Sequence, residues 1–133
     1  MNAQMKTIAQ NCLTASYDAT MDFPDIVGTL IKAGFEGYMV DYRRSTTTYY
    51  LPDGDSVELP NMRTEGNVAA VFDAEVVQAG VREAQMKAPG YTYKGFCEKV
   101  KAAGCAGYLV SFLGKRVIYY GRTAETHVEH FPK

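Results

Sequence analysis

The stretch Ala33-Gly34-Phe35-Glu36-Gly37-Tyr38-Met39-Val40 returns seventy residues later as Ala103-Gly104-Cys105-Ala106-Gly107-Tyr108-Leu109-Val110, and this echo decides the fold. Working outward, Tyr49-Tyr50 falls on Tyr119-Tyr120 without a gap, which makes seven identities, and Phe23, Ile26, Val27 and Leu30 fall on Tyr93, Phe96, Cys97 and Val100. With a shift of 68, Ile8, Ala9, Gln10, Cys12 and Leu13 fall on Val76, Val77, Gln78, Gly80 and Val81. Self-similarity at a fixed period marks a repeat architecture. The chain of 133 residues is therefore read as two units, about 3–59 and 74–131, joined by a short polar linker at about 60–70 and packed as one domain spanning 1–133.

Each unit changes its periodicity in the same order. Residues near 3 to 16 and near 74 to 87 carry apolar positions at helical spacing, the second run opened by Asp73, a good acceptor for first-turn amides. Phe23, Ile26, Val27, Leu30 and Ile31 then form an apolar helical stripe, with Asp22 as N-cap, Pro24 in the first turn and Gly34 just past the end. Thr92 and Gly104 repeat the cap and stop signals. After each glycine the pattern alternates: Tyr38, Val40, Tyr42 and Tyr108, Val110, Phe112. Two-residue turns at Arg44-Ser45 and Gly114-Lys115 would place Val40 opposite Tyr49, Tyr42 opposite Thr47, Val110 opposite Tyr119 and Phe112 opposite Val117. Pro52-Asp53-Gly54 and the Arg122 to Glu125 region turn the chain into a third strand. The fold class is α+β, two pseudo-symmetric helix-helix-three-stranded antiparallel meander units.

The outer faces of the two meanders differ. The first carries Asp41, Arg43, Thr46 and Thr48, the second Leu109, Leu113, Ile118 and Tyr120. An apolar sheet face seeks a cover. A helix, the other unit's sheet, or the second subunit of a homodimer is expected there.

Composition excludes several classes. With 47% hydrophobic and 22% charged residues the chain reads as an ordinary globular protein. At 14.7 kDa it buries about two thirds of its unfolded surface, so no cofactor is expected for stability. A formal charge of -1 argues against general nucleic-acid or anionic-membrane binding. Cys12, Cys97 and Cys105 are an odd set without C-x-x-C spacing, which points to buried thiols and a cytoplasmic location. The first twenty residues hold no apolar signal core, and no run approaches the length of a membrane span. The basic hairpin tips, Arg43, Arg44, Lys115, Arg116 and Arg122, read as solvated turn charges, and no phosphate-binding glycine loop or G-x-S-x-G nucleophile motif accompanies them.

Chemistry concentrates near the C-terminus. The run Glu125-Thr126-His127-Val128-Glu129-His130 holds both histidines. On a strand, Glu125, His127 and Glu129 share one face. With Val128 turned into the core and a four-residue loop at 122–125, His127 would lie opposite Tyr120 on the outer face, and Glu129 beside Ile118. A carboxylate beside an imidazole can orient its proton for general-base work or join it on a divalent metal, which makes His127 and Glu129 the candidate metal ligands. The bland reading is a charged edge strand that resists edge-to-edge pairing. Tyr38, Tyr49, Tyr108 and Tyr119 fall on core faces, whereas Tyr50 and Tyr120 face outward and join the ligand- or partner-binding candidates.

The string from Phe72-Asp73-Ala74-Glu75 through Ala103-Gly104-Cys105 and Gly107-Tyr108 to Arg116-Val117, Gly121-Arg122 and His127-Val128-Glu129-His130-Phe131-Pro132 resembles a family of small bacterial proteins of unknown function. Some of its members are labelled phage envelope protein. The resemblance covers most of the chain and is strongest from about residue 72. Glu125-Thr126 departs from the Gly-Glu turn of the family, and no activity transfers with it.

Two functional classes follow. The first is a non-enzymatic soluble binding or interaction module that uses the second unit's outer sheet face to meet a protein or small-molecule partner. The second is a small hydrolase or metal-dependent enzyme centred on His127 and Glu129, with Tyr120; Glu125, His127 and Glu129 also count among the ligand- or partner-binding candidates.

Overall fold

A computed structural model describes residues 1–131; Pro132, which closes the motif quoted above, and Lys133 lie outside the described residues. The elements are α1 (Ala3–Asp18), α2 (Phe23–Ala33), β1 (Gly37–Asp41), β2 (Thr46–Tyr50), β3 (Ser56–Pro60), α3 (Ala74–Met86), α4 (Tyr93–Ala102), β4 (Cys105–Ser111), β5 (Arg116–Gly121) and β6 (Thr126–His130). This is the α+β class, and both halves run helix, helix, three strands.

The helix ends follow the local chemistry. Asp22 accepts from the Asp25 amide at 3.0 Å while the Asp25 side chain reaches back to the Asp22 amide, closing a capping box ahead of Pro24. Gly34 ends α2 in the left-handed region at φ 101°, and the next amide, Phe35 N–H, donates to Leu30 O at 3.0 Å. Asp73 and Thr92 cap α3 and α4 by accepting from Val76 and Gly95 amides.

The two meanders do not stack on each other. They join edge to edge through β1 and β4, giving one antiparallel sheet ordered β3-β2-β1-β4-β5-β6. At the seam Gly37 lies opposite Ser111, Met39 opposite Leu109 and Asp41 opposite Gly107. One core lies beneath the sheet: Cys12, Leu30, Val77, Phe96 and Val100 from the helices cluster with Tyr38, Val40, Tyr49, Tyr108, Val110, Val117 and Tyr119 from the strands. Lys101 is buried and pins the linker, its Nζ donating to Thr64 Oγ1 at 2.5 Å and to Gly66 O at 3.0 Å.

Turn geometry corrects the expected registers. The hairpin tips are four-residue loops, 42–45 and 112–115, so Val40 lies opposite Thr47, Tyr38 opposite Tyr49, Val110 opposite Val117 and Tyr108 opposite Tyr119. A two-residue primed turn of type I′ needs positive φ at both central residues, whereas here only Ser45 (φ 55°) and Lys115 (φ 51°) adopt it. Asp41 Oδ1 instead accepts from the Arg43 and Arg44 amides, and Ser111 Oγ from Gly114. The two-residue slip preserves the faces.

The slip at β6 is of one residue and does not. Gly121 N–H donates to Glu125 O at 2.8 Å and Ala124 N–H to Gly121 O at 3.0 Å, so the loop is Arg122-Thr123-Ala124, three residues with Ala124 left-handed at φ 66°. Pro52-Asp53-Gly54 makes the same turn in the first half, where Gly54 takes the left-handed position at φ 92°. An alanine thus stands where the geometry favours glycine, hiding the turn from sequence inspection. Since side chains alternate, a one-residue shift exchanges the faces of the strand. Val128 points outward, opposite Ile118, and His127 and Glu129 point to the helix side, opposite Tyr119 and Val117.

The cysteines are free and buried, as expected, and burial pushes the Cys97 thiol up to about 11 and the Cys105 thiol up to about 12. Burial likewise holds the hydroxyls of Tyr42, Tyr49, Tyr93 and Tyr108 well above their ordinary range. Tyr108 meets Tyr93 hydroxyl to hydroxyl at 2.5 Å, joining β4 to α4.

Two outcomes are expected. Ala124→Gly should stabilise the protein by about 0.5–1 kcal/mol in urea unfolding, and Gly54→Ala should cost about 1 kcal/mol, because both sites demand positive φ and neither effect needs a contact. Equal and small changes of one sign would refute the turn assignment. For the tyrosines, the folded-state pKa lies above the unfolded value of about 10, so the stability they contribute is intact below about pH 10 and falls as pH rises above it. Tyrosinate absorbance should therefore show a slow group appearing only with loss of circular dichroism; ionisation of all ten tyrosines in the folded protein would contradict it.

Candidate functional site

The turn at Ala124 carries His127 and Glu129 beneath α3. Asp73 anchors the start of that helix, Val77 and Val81 sink into the core, and Arg82, one position on, flanks the buried stripe and leans over β6. Arg82 Nη1 donates to Glu129 Oε1 at 2.6 Å and to Gln85 Oε1 at 3.0 Å. His127 Nε2 meets Glu129 Oε2 at 2.5 Å. Glu129 is 8% exposed, and these partners offset the cost of burying it, since an unpaired buried carboxylate costs several kcal/mol. The His127 ring lies 6.4 Å from that of Tyr119, whose hydroxyl is held up by burial, with a smaller contribution from Glu129.

The corresponding sites in the first half are apolar. Val57 lies opposite Tyr49 as His127 lies opposite Tyr119, and Leu59 lies opposite Thr47 as Glu129 lies opposite Val117. An ion-paired triad in one half thus occupies the place of two aliphatic residues in the other. The contact of Nε2 with Glu129 fixes the orientation of the His127 ring, as a carboxylate does for an oriented imidazole. The donor set does not fit a divalent cation: both Glu129 oxygens are engaged, one by a guanidinium that would repel it, and among the described residues no group of three His, Cys, Asp or Glu is placed to hold a metal.

The five residues singled out from the sequence fall in three places. His127 and Glu129 meet on the helix side. Tyr120 and Tyr50 lie on the opposite face of the sheet, so the expected alignment of His127 with Tyr120 is corrected. Glu125 sits in the turn, its carboxylate taking a bond from the Thr123 hydroxyl. Arg82 is the member that sequence reasoning missed; an arginine on an amphipathic helix carries no signal until β6 is placed under it. Clefts of about 450 Å³, along Val71, Asp73, Val76 and Ala103, and about 210 Å³, along Gly80, Tyr91 and Phe96, are lined by neither His127 nor Glu129.

On the outer face, register aligns Glu58, Thr48, Met39, Leu109, Ile118 and Val128 in one row across all six strands. Four neighbours in that row are apolar. The clustered core lies wholly on the other side, and Leu109 and Val128 are each 39% exposed, so among the described residues neither a helix nor a second sheet provides the expected cover. Tyr120 lies over Gly107, where an added Cβ would strike its ring, and its hydroxyl is pushed up to about 12 by partial burial, then by Asp41.

The sequence pattern running from Leu13 in α1 to Glu129 in β6 is that of a described family of proteins of unknown function, DUF1398, matched over residues 13–129. The chain belongs to the DUF1398 family. No curated protein matches it. Among the described residues of this DUF1398 protein no helix is long and apolar enough to cross a membrane.

The triad should behave as one unit. Arg82→Ala is expected to cost about 1–2 kcal/mol, reduced from the fully buried case because Arg82 is half exposed, and Glu129→Gln should remove most of the further penalty, giving a coupling of about 1 kcal/mol in a double-mutant cycle. Additive effects in urea unfolding would show that the pair is not coupled.

Proposed function

We propose that this protein is a non-enzymatic binding module that meets a protein partner through the outer sheet face of its second half. The observation that carries this reading is the row Met39, Leu109, Ile118 and Val128, left open by a fold that puts its core on the other side. Isolated exposed aliphatics are ordinary, but a contiguous apolar row spanning four strands is the usual mark of an interaction surface. Its flanks support the same reading, since Tyr120 offers a broad apolar ring with a polar tip and little conformational freedom to lose. The two halves, read as products of an internal duplication, differ on this face: the first sets Thr46, Thr48 and Glu58 around Met39, whereas the second contributes Leu109, Ile118 and Val128. The Arg82, Glu129 and His127 triad then serves to hold the edge strand β6 in place, fixing the outward direction of Val128.

In-cell photo-crosslinking tests this. A photoreactive amino acid at Val128 should give discrete adducts that vanish when Ile118→Arg is added, while the same group at Ile31, exposed on α2, should give none. Equal labelling at both positions, or none at Val128, would overturn the proposal.

A further inference from the structure

We infer that the occupant of this outer face is a second copy of the chain, packed sheet on sheet about a twofold axis lying along the apolar row. The inference rests on the binding-module reading above and adds the partner and its orientation. It follows from the register. A homodimer of the common isologous kind needs a patch that complements itself under a twofold rotation. Two in-plane axes can bring this face onto its copy. An axis along the strands through the middle of the sheet would place Val128 on Glu58 and Ile118 on Thr48 of the partner, burying a carboxylate under an aliphatic side chain, and one through the middle of the apolar half would lay Arg116 on Ser111 and Tyr120 on Gly107, pairing neither the guanidinium nor the ring. An axis along the row instead sets Leu109 on Leu109 and Ile118 on Ile118.

That second axis also exchanges the two rows that flank the first. One row runs Asp41, Gly107, Tyr120, Thr126 and the other Gly37, Ser111, Arg116, His130. Arg116 of each copy is thereby carried onto Tyr120 of the other, a guanidinium on an aromatic face, and Asp41 onto Gly37. Among the strand residues of β1, β4, β5 and β6 no like charges meet, and Arg43, which acts on Tyr120 from the hairpin tip, is balanced there by Asp41. Only Glu58 would confront its own copy. Sheets pack at roughly 30°, so pivoting between Leu109 and Ile118 moves Glu58, about 17 Å along the row, roughly 9 Å from its counterpart. The contact is therefore confined to the apolar half.

Its size sets its strength. Four strands of five residues project about 320 Å² per copy, well below the roughly 800 Å² a side of a standard stable interface. The dimer is accordingly weak and reversible, and the monomer is complete without it.

Sedimentation equilibrium of the full chain between about 1 and 500 µM should show monomer and dimer, with Ile118→Arg weakening association by at least about tenfold. Val128→Lys, on the exposed edge strand, should do the same if Ile118→Arg lowers the folded fraction. The native cysteines are buried, so a short bis-maleimide should link Leu109→Cys to itself and leave Ile31→Cys, on the helix side, monomeric. A protein that stays monomeric at the highest concentration, a dimer indifferent to both charge substitutions, or linkage through Ile31→Cys alone would overturn the dimer. The photo-crosslinks separate the two ideas: a discrete adduct of another mass at Val128 would refute self-association while upholding the binding face, and no adduct would refute both.

Discussion

The pairing of β1 with β4 is the constraint on which the rest of this structure depends. Gly37 and Gly107 sit at its two ends, and a Cβ at either would run into the carbonyl of the facing strand, Val110 for the first and Val40 for the second. These two glycines therefore let the halves approach closely enough to share a ladder. Once they do, the consequences are geometric. Residue 39 lies opposite residue 109, so within the sheet the two meanders relate by a half-turn about an axis normal to it. Such a rotation leaves helices that start on one side of the sheet on that same side. The core forms beneath the sheet, and the other face is left to solvent.

Much of this was legible in the sequence because it is local or periodic. Asp22, Pro24 and Gly34 announce a helix by hydrogen-bond chemistry that acts within a turn, and Tyr38, Val40 and Tyr42 announce a strand by alternation. What was not legible depends on partners distant in the chain or on a residue working against its own preference. Nothing in either unit says whether two apolar-faced meanders will stack or join by their edges. Ala124 is the sharper case. It adopts a left-handed conformation that alanine resists by about 1–2 kcal/mol, and the surrounding hairpin imposes it. Read as an ordinary residue it implies a four-residue loop, and that single miscount puts His127 and Glu129 on the wrong face. The histidine and glutamate were found from their types and spacing, but their position and their third partner, Arg82, were not.

The two edges of the sheet constrain how the molecule can associate. β3 ends in Pro60, which has no amide to donate, and carries Glu58 on its outer side; β6 alternates Thr126, His127, Val128, Glu129 and His130. Both features discourage a further strand from adding edgewise, the proline by removing a hydrogen bond and the charges by the cost of burying them. Association through the ladder is thereby suppressed at both ends, while the face between them keeps its apolar row. The ion-paired triad belongs to the same balance. Aliphatic residues at positions 127 and 129, like Val57 and Leu59 in the first half, would bury well but would leave β6 reading as an apolar edge. A carboxylate held by Arg82 and His127 keeps the strand docked and its edge polar, so that Val128 can remain exposed without turning β6 into a template for aggregation.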